Sequence, residues 1–289
     1  MTRPTLTTRV RRALRDTQLS LRGASLAVAC SGGPDSTAML HALALQRARG
    51  GFELVAVGVD HGLREAAAEE LAVAAKLAEE LGVGWRSESL KVASGPNLQA
   101  RAREARHAAL ARAAREEGAI AIALGHTADD RAETVVLRIL RGAGARGLAV
   151  LPLDGPPFLS EGLPLFRPLI AARRAEVVAH LARHRLEAAE DPSNRDRRFA
   201  RARVRHEVMP LLEELSPRVV DHLCAIAEDL AAPEPREEPS FLADLGRKQR
   251  EALLRAIDQR RGGTTVRVSG GRDLEVRFLR GTPVVFVPK

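Results

Sequence analysis

Short apolar runs and longer amphipathic segments alternate through the first half of the chain. Apolar runs of five or six residues predict buried strands, and the Ala-rich segments between them predict helices. Several runs are apolar at consecutive positions, which is typical of strands covered on both faces. The pattern therefore predicts an α/β fold, a parallel sheet with helices on both faces. The predicted strands cover residues 26–30, 54–59, 84–90 and 119–124, and the predicted helices cover 37–44, 65–81, 97–117 and 128–141.

The alternation of strands and helices stops after Gly147. The Pro- and Gly-rich residues 151–168 predict a loop that gains order only with substrate, and 231–239 predict a connector. Beyond it, a helix and three short strands predict a small α+β module. We therefore expect an N-terminal domain with a helical extension at 1–215 and a small C-terminal domain at 216–289. The further predicted helices are 173–185, 208–215 and 247–260, and the late strands are 264–268, 274–279 and 284–287.

Composition narrows the class of protein. The 289 residues are 45% hydrophobic and 28% charged, as in a soluble globular protein, with no apolar run of about 20 residues and no signal peptide. We therefore expect a cytoplasmic protein. The net charge of +8 favours a polyanionic partner, although only 4 of the 45 basic residues are lysine, a skew that coding bias alone produces.

Cysteine usage excludes two kinds of site. Cys30 and Cys224 stand alone, and no Cys-x-x-Cys occurs. A single chain with these two cysteines builds neither a disulfide framework nor a cysteine metal centre. We interpret Cys30, at the end of a predicted strand, as a packed side chain.

A Gly-containing turn joins the first predicted strand to the helix that follows it. Two glycines allow close backbone approach, and the helix N-terminus attracts anions, so the turn predicts a phosphate-binding loop. The loop lacks the Gly-Lys-Ser/Thr ending of a Walker loop. It resembles the SGGxDS signature of the PP-loop ATP pyrophosphatases, which implies ATP binding. Its residues are Ser31, Gly32, Gly33, Pro34, Asp35 and Ser36.

Carboxylates follow the fourth predicted strand. Asp130 and Glu133 are three residues apart and share a helix face, which predicts a cation site for Mg²⁺ or a substrate ammonium. For Asp129, helix capping is an equal alternative. Further along the same helix, Arg138 and Arg141 precede a Gly-rich turn. They are placed to stabilise a leaving pyrophosphate or to form a solvated face.

Six further motifs make the resemblance specific. Their order is similar to that in the tRNA(Ile)-lysidine synthetases, over about residues 24–215. The resemblance implies that ATP adenylates O2 of the first anticodon cytidine in tRNA(Ile) with a CAU anticodon. The ε-amine of L-lysine then displaces AMP. The motifs are Asp60–Arg64, Gly125–Thr134, Arg138–Leu148, Arg167–Leu169, Glu190–Asn194 and Arg201–Leu212.

The resemblance also implies roles for individual residues. The phosphate loop, with His61 and His126, would bind ATP, and the catalytic residues would be Asp35, Asp130, Glu133 and Arg205. Asp35 and Asp130 would hold Mg²⁺, and the small C-terminal domain would bind or recognise the tRNA. We also expect a homodimer. The arginines expected on tRNA are Arg106, Arg112, Arg138, Arg141 and Arg201.

Three departures from the family pattern concern contacts to the base more than the ATP site. Arg131 stands where the family usually has Gln, Ala202 where Asn is common, and Ala149-Val150-Leu151 replaces Ala-Gly-Met. Two alternatives stay open. One is a PP-loop tRNA 2-thiolation enzyme, although its relatives carry paired cysteines or an iron–sulfur cluster. The other is a non-catalytic RNA-binding PP-loop protein, which would not need an intact loop and carboxylates.

Overall fold

A six-stranded sheet organises the first of two units in the computed structural model. The structure describes residues 4–60, 66–90, 98–157, 162–189 and 199–231, and the segments 264–267, 273–279 and 282–286. The strand order is β3-β2-β1-β4-β6-β5, and every pairing is parallel except that of β5 with β6. The predicted parallel sheet is confirmed. Its strands are β1 Ser25–Cys30, β2 Glu53–Asp60, β3 Gly84–Ser89, β4 Ala119–Ala123, β5 Asp154–Gly155 and β6 Leu165–Phe166.

Helices cover both faces of the sheet, as the consecutive apolar positions predicted. Leu26 and Val28 of β1 pack in one cluster with the helices at residues 6–16, 34–50, 66–80 and 174–184, whereas Ala27 faces the helix at 98–116. The helices are α1 Leu6–Asp16, α2 Pro34–Gly50, α3 Ala66–Glu80, α4 Leu98–Glu116, α5 Ala128–Leu140, α6 Ala145–Leu148, α7 Arg174–His184, α8 Ala200–Arg203, α9 Met209–Leu215 and α10 Val219–Ala231.

The structure adds elements that the sequence analysis did not predict. The short strands β5 and β6 lie inside the predicted loop 151–168, and Phe166 is fully buried there. The helix α10 follows the predicted end of the N-terminal domain. Val220 and Ala227 of α10 are buried in clusters that include residues of α5. The first unit therefore extends to Ala231 rather than to residue 215.

Residues Val204–Val208 form a turn of π-helix between α8 and α9. The Met209 N–H donates to the Val204 carbonyl, five residues back. Pro210 follows at the start of α9 and explains the wider turn. In an α-helix its ring would collide with the carbonyl four residues earlier, that of His206. A π turn relieves that contact, and such turns are frequent at functional sites.

The second unit, Ala232–Lys289, contains a three-stranded antiparallel sheet in the order β7-β8-β9. The strands are β7 Thr264–Arg267, β8 Asp273–Leu279 and β9 Thr282–Phe286, close to the three late strands predicted. The predicted helix 247–260 lies outside the described residues. In the described part of the chain, no helix is both long and apolar enough to cross a membrane.

Candidate active site

The turn after β1 has the geometry of a preformed anion site. Gly32 has φ +78°, and a Cβ there would lie 2.0 Å from the Glu70 carbonyl oxygen, so only glycine fits. Gly33 is the N-cap of α2, and Pro34 occupies its first turn. The N-terminal N–H groups of α2 therefore face the loop, with the helix dipole favouring a negative guest.

Hydroxyl groups fix the shape of this loop. The Ser36 hydroxyl donates to the Gly33 carbonyl (3.0 Å) and accepts from the Ser31 N–H (3.2 Å). The Thr37 hydroxyl donates to the Gly32 carbonyl at 3.2 Å. The N–H of Ala189, beyond α7, also donates to that carbonyl (2.9 Å). Because these bonds hold the loop from within and from outside, little reorganisation is needed to bind a phosphate.

The end of β4 meets this loop at the point where the strand order reverses. The chain runs from β1 outward through β2 to β3 and then returns to the other side of β1 with β4. Ligands bind at such switch points in open α/β sheets. A Cβ at Gly125 would lie 3.2–3.3 Å from Asp35 and Ser36 backbone atoms, so the two loops nearly touch. His126 follows in the same connection, whereas His61 lies outside the described residues.

Asp130 and Glu133 lie together at the start of α5, as their spacing predicted. Asp130 Oδ2 accepts from the Thr127 N–H and hydroxyl, both at 2.8 Å, in a capping box. Its other oxygen, Oδ1, accepts from the side chains of Arg174, Arg201 and Arg205. Glu133 is only 1% exposed. Asp129 serves as a cap too: it accepts from the Arg174 N–H (2.6 Å) at the start of α7, and from the Arg173 side chain.

Three arginines supply the positive charge against this carboxylate pair. Arg205 makes two bonds to Glu133, at 2.7 and 3.0 Å, and a third to Asp130 Oδ1 at 3.2 Å. Arg201 and Arg174 each contact both carboxylates at 3.1–3.3 Å. The cations that the structure places here are guanidinium groups, three against two carboxylates. We call Asp130, Glu133, Arg174, Arg201 and Arg205 the arginine cluster.

Charge and burial act in opposite directions within the arginine cluster. Burial alone would raise the pKa of Asp130, but Arg174, the Thr127 N–H and Arg201 outweigh it and lower that pKa. Similarly, burial disfavours the Arg205 cation, whereas Glu133 raises the Arg205 pKa. Both groups are therefore ionised at neutral pH, and the cluster keeps an excess of one positive charge.

Asp35 differs from the carboxylates of the arginine cluster. Burial, then the charge of Asp130, raises its pKa to about 6 against the opposing effect of Arg174 and Arg205. Among the described residues, no group donates to its buried Oδ1 atom. A buried carboxylate oxygen of this kind next to a phosphate loop is the ligand that Mg²⁺ prefers. This single oxygen fits the predicted metal, whereas both oxygens of Asp130, the other predicted ligand, accept hydrogen bonds from protein groups.

The arginines predicted on tRNA fall into different settings. Arg201 belongs to the arginine cluster, and Arg112 pairs with Glu88 at 2.7 Å. Arg106 lies within α4. Arg138 and Arg141 are exposed at the end of α5 and form no ion pair within the described ranges. Exposed and unpaired guanidinium groups are the ones best placed to meet a polyanion.

Sequence reasoning missed Arg174 as a site residue. It occupies the first turn of α7, where the helix dipole disfavours a cation. That unfavourable placement was a usable signal, because an arginine there needs a compensating carboxylate. Asp130 and Glu133 provide it across the fold.

Two of the three departures from the family pattern contact each other. Arg131 is 2% exposed, and its Nε and Nη2 atoms donate to the Leu151 carbonyl at 3.1 and 2.6 Å. Its Nη1 atom pairs with Glu228 on α10. Leu151 has φ +47°, an unfavourable conformation that these bonds stabilise. Ala202, the third departure, is buried on α8.

Cys30 is buried, as interpreted from sequence, and Cys224 is half-buried. Burial raises the pKa of Cys30 to about 12. Burial also raises the pKa of Cys224 to about 11, against the opposing charge of Arg131. The thiolate is the nucleophile and the metal ligand, so neither thiol is activated at neutral pH.

Comparison with known proteins agrees with this geometry. A family model described as the PP-loop domain matches residues 4–212. The tRNA(Ile)-lysidine synthase of Leifsonia xyli subsp. xyli is 39% identical over 264 residues, covering 90% of this chain and 73% of that protein. That of Thermobifida fusca is 42% identical over 76% of this chain and 65% of its own length. That of Pseudomonas aeruginosa is 42% identical over 75% of this chain and 47% of its own length.

The chain thus spans about half to two thirds of the length of the last two relatives. Among solved structures, the U34-tRNA thiolase NcsA from Methanococcus maripaludis, determined with its 4Fe–4S cluster, has a TM-score of 0.65. It is 21% identical and covers 78% of this chain and 77% of its own, a likeness of fold alone. On its matched domain and its curated relatives, the chain belongs to the PP-loop family and, within it, to the tRNA(Ile)-lysidine synthases.

Proposed function

We propose that the protein uses ATP to join L-lysine to C2 of the first anticodon cytidine in tRNA(Ile) with a CAU anticodon. The proposal rests on one observation. A preformed phosphate loop and the arginine cluster lie together at the switch point of the sheet. The family relationship supplies the substrates. A protein acting on tRNA belongs in the cytoplasm, and we expect a homodimer.

The first step transfers AMP to the base. Cytidine O2 attacks the α-phosphorus of ATP, the bond to pyrophosphate breaks, and the base becomes a good electrophile at C2. The loop N–H groups and the dipole of α2 would hold the phosphates. Arg174, Arg201 and Arg205 give the arginine cluster its excess of positive charge. These side chains would stabilise the negative charge that builds on pyrophosphate.

The second step consumes the adenylate. The neutral ε-amine of lysine attacks C2, the C2–O bond breaks, and AMP and a proton are released. Asp130 and Glu133 carry the negative charge suited to the α-ammonium or side chain of lysine. In the structure these two carboxylates pair with three guanidinium groups. When substrates bind, the phosphates would attract the arginines, and the lysine amine would take the place of the arginines at the carboxylates.

Mg²⁺ would bind at Asp35, whose buried Oδ1 atom is available. When bound, the ion neutralises phosphate charge and orients the triphosphate. Asp130 would join as a second ligand once the arginines had turned to the phosphates. The raised pKa of Asp35 means that ionising it costs free energy in the folded protein, and a bound cation would offset that cost.

The thiolation alternative is the weaker one. Such chemistry needs a reactive thiol or an iron–sulfur cluster, and burial raises the pKa of Cys30 to about 12. A non-catalytic RNA-binding role leaves the buried, orphaned carboxylate of Asp35 without a purpose.

The deciding experiment is incorporation of radiolabelled L-lysine into a tRNA(Ile) transcript bearing CAU, with ATP and Mg²⁺. We expect one lysine per tRNA, lost when that cytidine is changed to uridine or ATP is omitted. Cysteine and sulfide serve as control donors. Pyrophosphate release with sulfur rather than lysine transfer would favour the thiolase, and no pyrophosphate release would favour the RNA-binding alternative.

A further inference from the structure

Three histidines from two helices converge on the face of the sheet that carries α2 and α7. His41 lies on α2, and His180 and His184 are one turn apart on α7. One nitrogen from each ring lies within 4.8 Å of the other two. The ring centroids are 4.5–5.0 Å apart. No step of the proposed reaction uses these rings.

The environment of the three rings suits ligation. His41 and His180 are buried, at 8% and 4% exposure, and their Nδ1 and Nε2 atoms are 3.0 Å apart. Burial, then the neighbouring histidines, lowers the pKa of His180 to about 4, and burial also lowers that of His41. Neutral imidazole is the form that binds metals. The positive charge of Arg183 makes a smaller contribution in the same direction to the His180 pKa.

We propose that His41, His180 and His184 bind one divalent transition-metal ion of the imidazole-preferring class, with Zn²⁺ the first choice. Zn–N bonds are about 2.0–2.1 Å, so two nitrogens on a tetrahedral ion lie about 3.3 Å apart. The present 3.0 Å between His41 and His180 is close to that value. The ion would replace the bridging proton, which moves to the far nitrogen of its ring.

The third ligand completes the site from the surface. His184 is exposed, so its ring is free to rotate and shorten the remaining separations. Spacing of four residues on one helix places His180 and His184 on the same face, a common arrangement for two ligands to one metal. Three protein nitrogens leave a fourth position for water, as in other three-histidine sites.

The position of the ion indicates a structural role. His41 lies two turns beyond Pro34, about 10 Å along α2 from the phosphate loop. An ion there would tie α2, which begins at that loop, to α7, which begins at Arg174 of the arginine cluster. Binding should therefore stabilise the fold without entering the reaction.

The test titrates the full chain, free of any histidine tag, with Zn²⁺ by calorimetry and with Co²⁺ by visible absorption. Three proteins are compared: the wild type, His184→Ala and His222→Ala. His222 is an exposed histidine on α10 and is the matched control. Because His184 is exposed as well, its substitution leaves the fold intact, which circular dichroism checks.

We expect the wild type and His222→Ala each to bind one ion. Zn²⁺ should raise the Tm of both proteins, and Co²⁺ bound to them should give the d–d absorption of a tetrahedral site. His184→Ala should bind at least about 10-fold more weakly, since even outer partners of a metal site contribute 10–100-fold. Equal binding by His184→Ala and the wild type would overturn the proposal. So would the absence of stoichiometric binding in the wild type.

Discussion

Glu133 is the most buried charge of the arginine cluster, and it faces three guanidinium groups. Glu133→Gln removes that charge and leaves the arginines to repel one another. Because the arginine side chains are 22–43% exposed, solvent reduces the cost, and we expect a loss of about 1–3 kcal/mol in the free energy of unfolding. Urea denaturation at neutral pH measures it.

The matched control is Glu207→Gln. Glu207 pairs with Arg203 at 3.1 Å on an exposed surface, so its loss should change stability by less than about 1 kcal/mol. Equal effects of the two substitutions would show that the arginine cluster does not stabilise the fold.

Asp35 predicts a pH dependence with a definite sign. Its native pKa of about 6 lies above the ordinary 3.8, so the native state favours the protonated form. The stabilisation is present below pH 4 and is lost as the pH rises through 6, by about 3 kcal/mol in all. About half of that loss falls between pH 5 and 7.5. Asp35→Asn should remove this part of the pH dependence in the Mg²⁺-free protein.

Urea denaturation of the wild type and of Asp35→Asn at pH 5 and pH 7.5, with EDTA present, measures how the free energy of unfolding of each protein changes with pH. Parallel pH profiles for the two proteins would contradict the raised pKa. Added Mg²⁺ and ATP, in excess over the EDTA, should stabilise the wild type at pH 7.5 more than they stabilise the variant.

At the scale of residues, sites formed by sequence neighbours could be predicted, and contacts between residues far apart in the chain could not. The phosphate loop depends on neighbours in sequence, so its glycines followed from the strand–turn–helix pattern and Asp35 from the resemblance to the SGGxDS signature. The pairing of Asp130 with Arg174 joins residues 44 apart along the chain. Nothing in the spacing gives that contact, which depends on how α5 and α7 pack.

At the scale of elements, one buried arginine links α5 to α10 and to the segment that contains Leu151. Arg131 joins α5 to the Leu151 carbonyl and to Glu228 on α10. We expect Arg131→Ala to lower the free energy of unfolding by about 2–4 kcal/mol, because it leaves the half-buried Leu151 carbonyl without its donor and creates a void. Glu228→Gln should cost less than about 1 kcal/mol, since that side chain is 63% exposed.

Thermal or urea unfolding of the two variants separates the contacts. If Glu228→Gln were as destabilising as Arg131→Ala, the ion pair rather than the Leu151 carbonyl would hold the elements together. Arg131→Gln, the residue usual in the family, tests whether a shorter donor reaches the same carbonyl.

Element type was predictable where periodicity was long. The four long strands of the sheet and helices α2 to α5 followed from apolar runs and helical spacing. Strands β5 and β6 have two residues each, too few for any period to show. The helix α10 did carry a signal in Val220, Leu223 and Ala227 at helical spacing, but its tertiary partner on α5 is remote in sequence.

For the whole molecule, the net charge of +8 predicts salt-dependent tRNA binding. Arg138 and Arg141 are exposed without ion pairs within the described ranges, whereas Arg112 is partly neutralised by Glu88. Changing Arg138 and Arg141 to Ala together should lower the slope of log K against log salt by about 2. Arg112→Ala should lower it by about 1 or less.

Filter binding at several salt concentrations gives the slopes. The control is Arg15→Ala on α1, whose guanidinium pairs with Asp16 at 2.8 Å on the surface. If Arg15→Ala lowered the slope by half as much as the double variant, which removes two charges, charge rather than location would determine tRNA affinity.

The π turn at Val204–Val208 makes the length of this segment matter as much as its composition. Deleting one residue, such as His206, would remove the extra residue that the wider turn accommodates. Successive residues of an α-helix are about 100° apart, so Arg201 and Arg205 would rotate away from Glu133. The arginines would all be present in the sequence, yet their guanidinium groups would point elsewhere. In an alignment, a one-residue gap at this place therefore marks an altered active site rather than a neutral change in a surface helix.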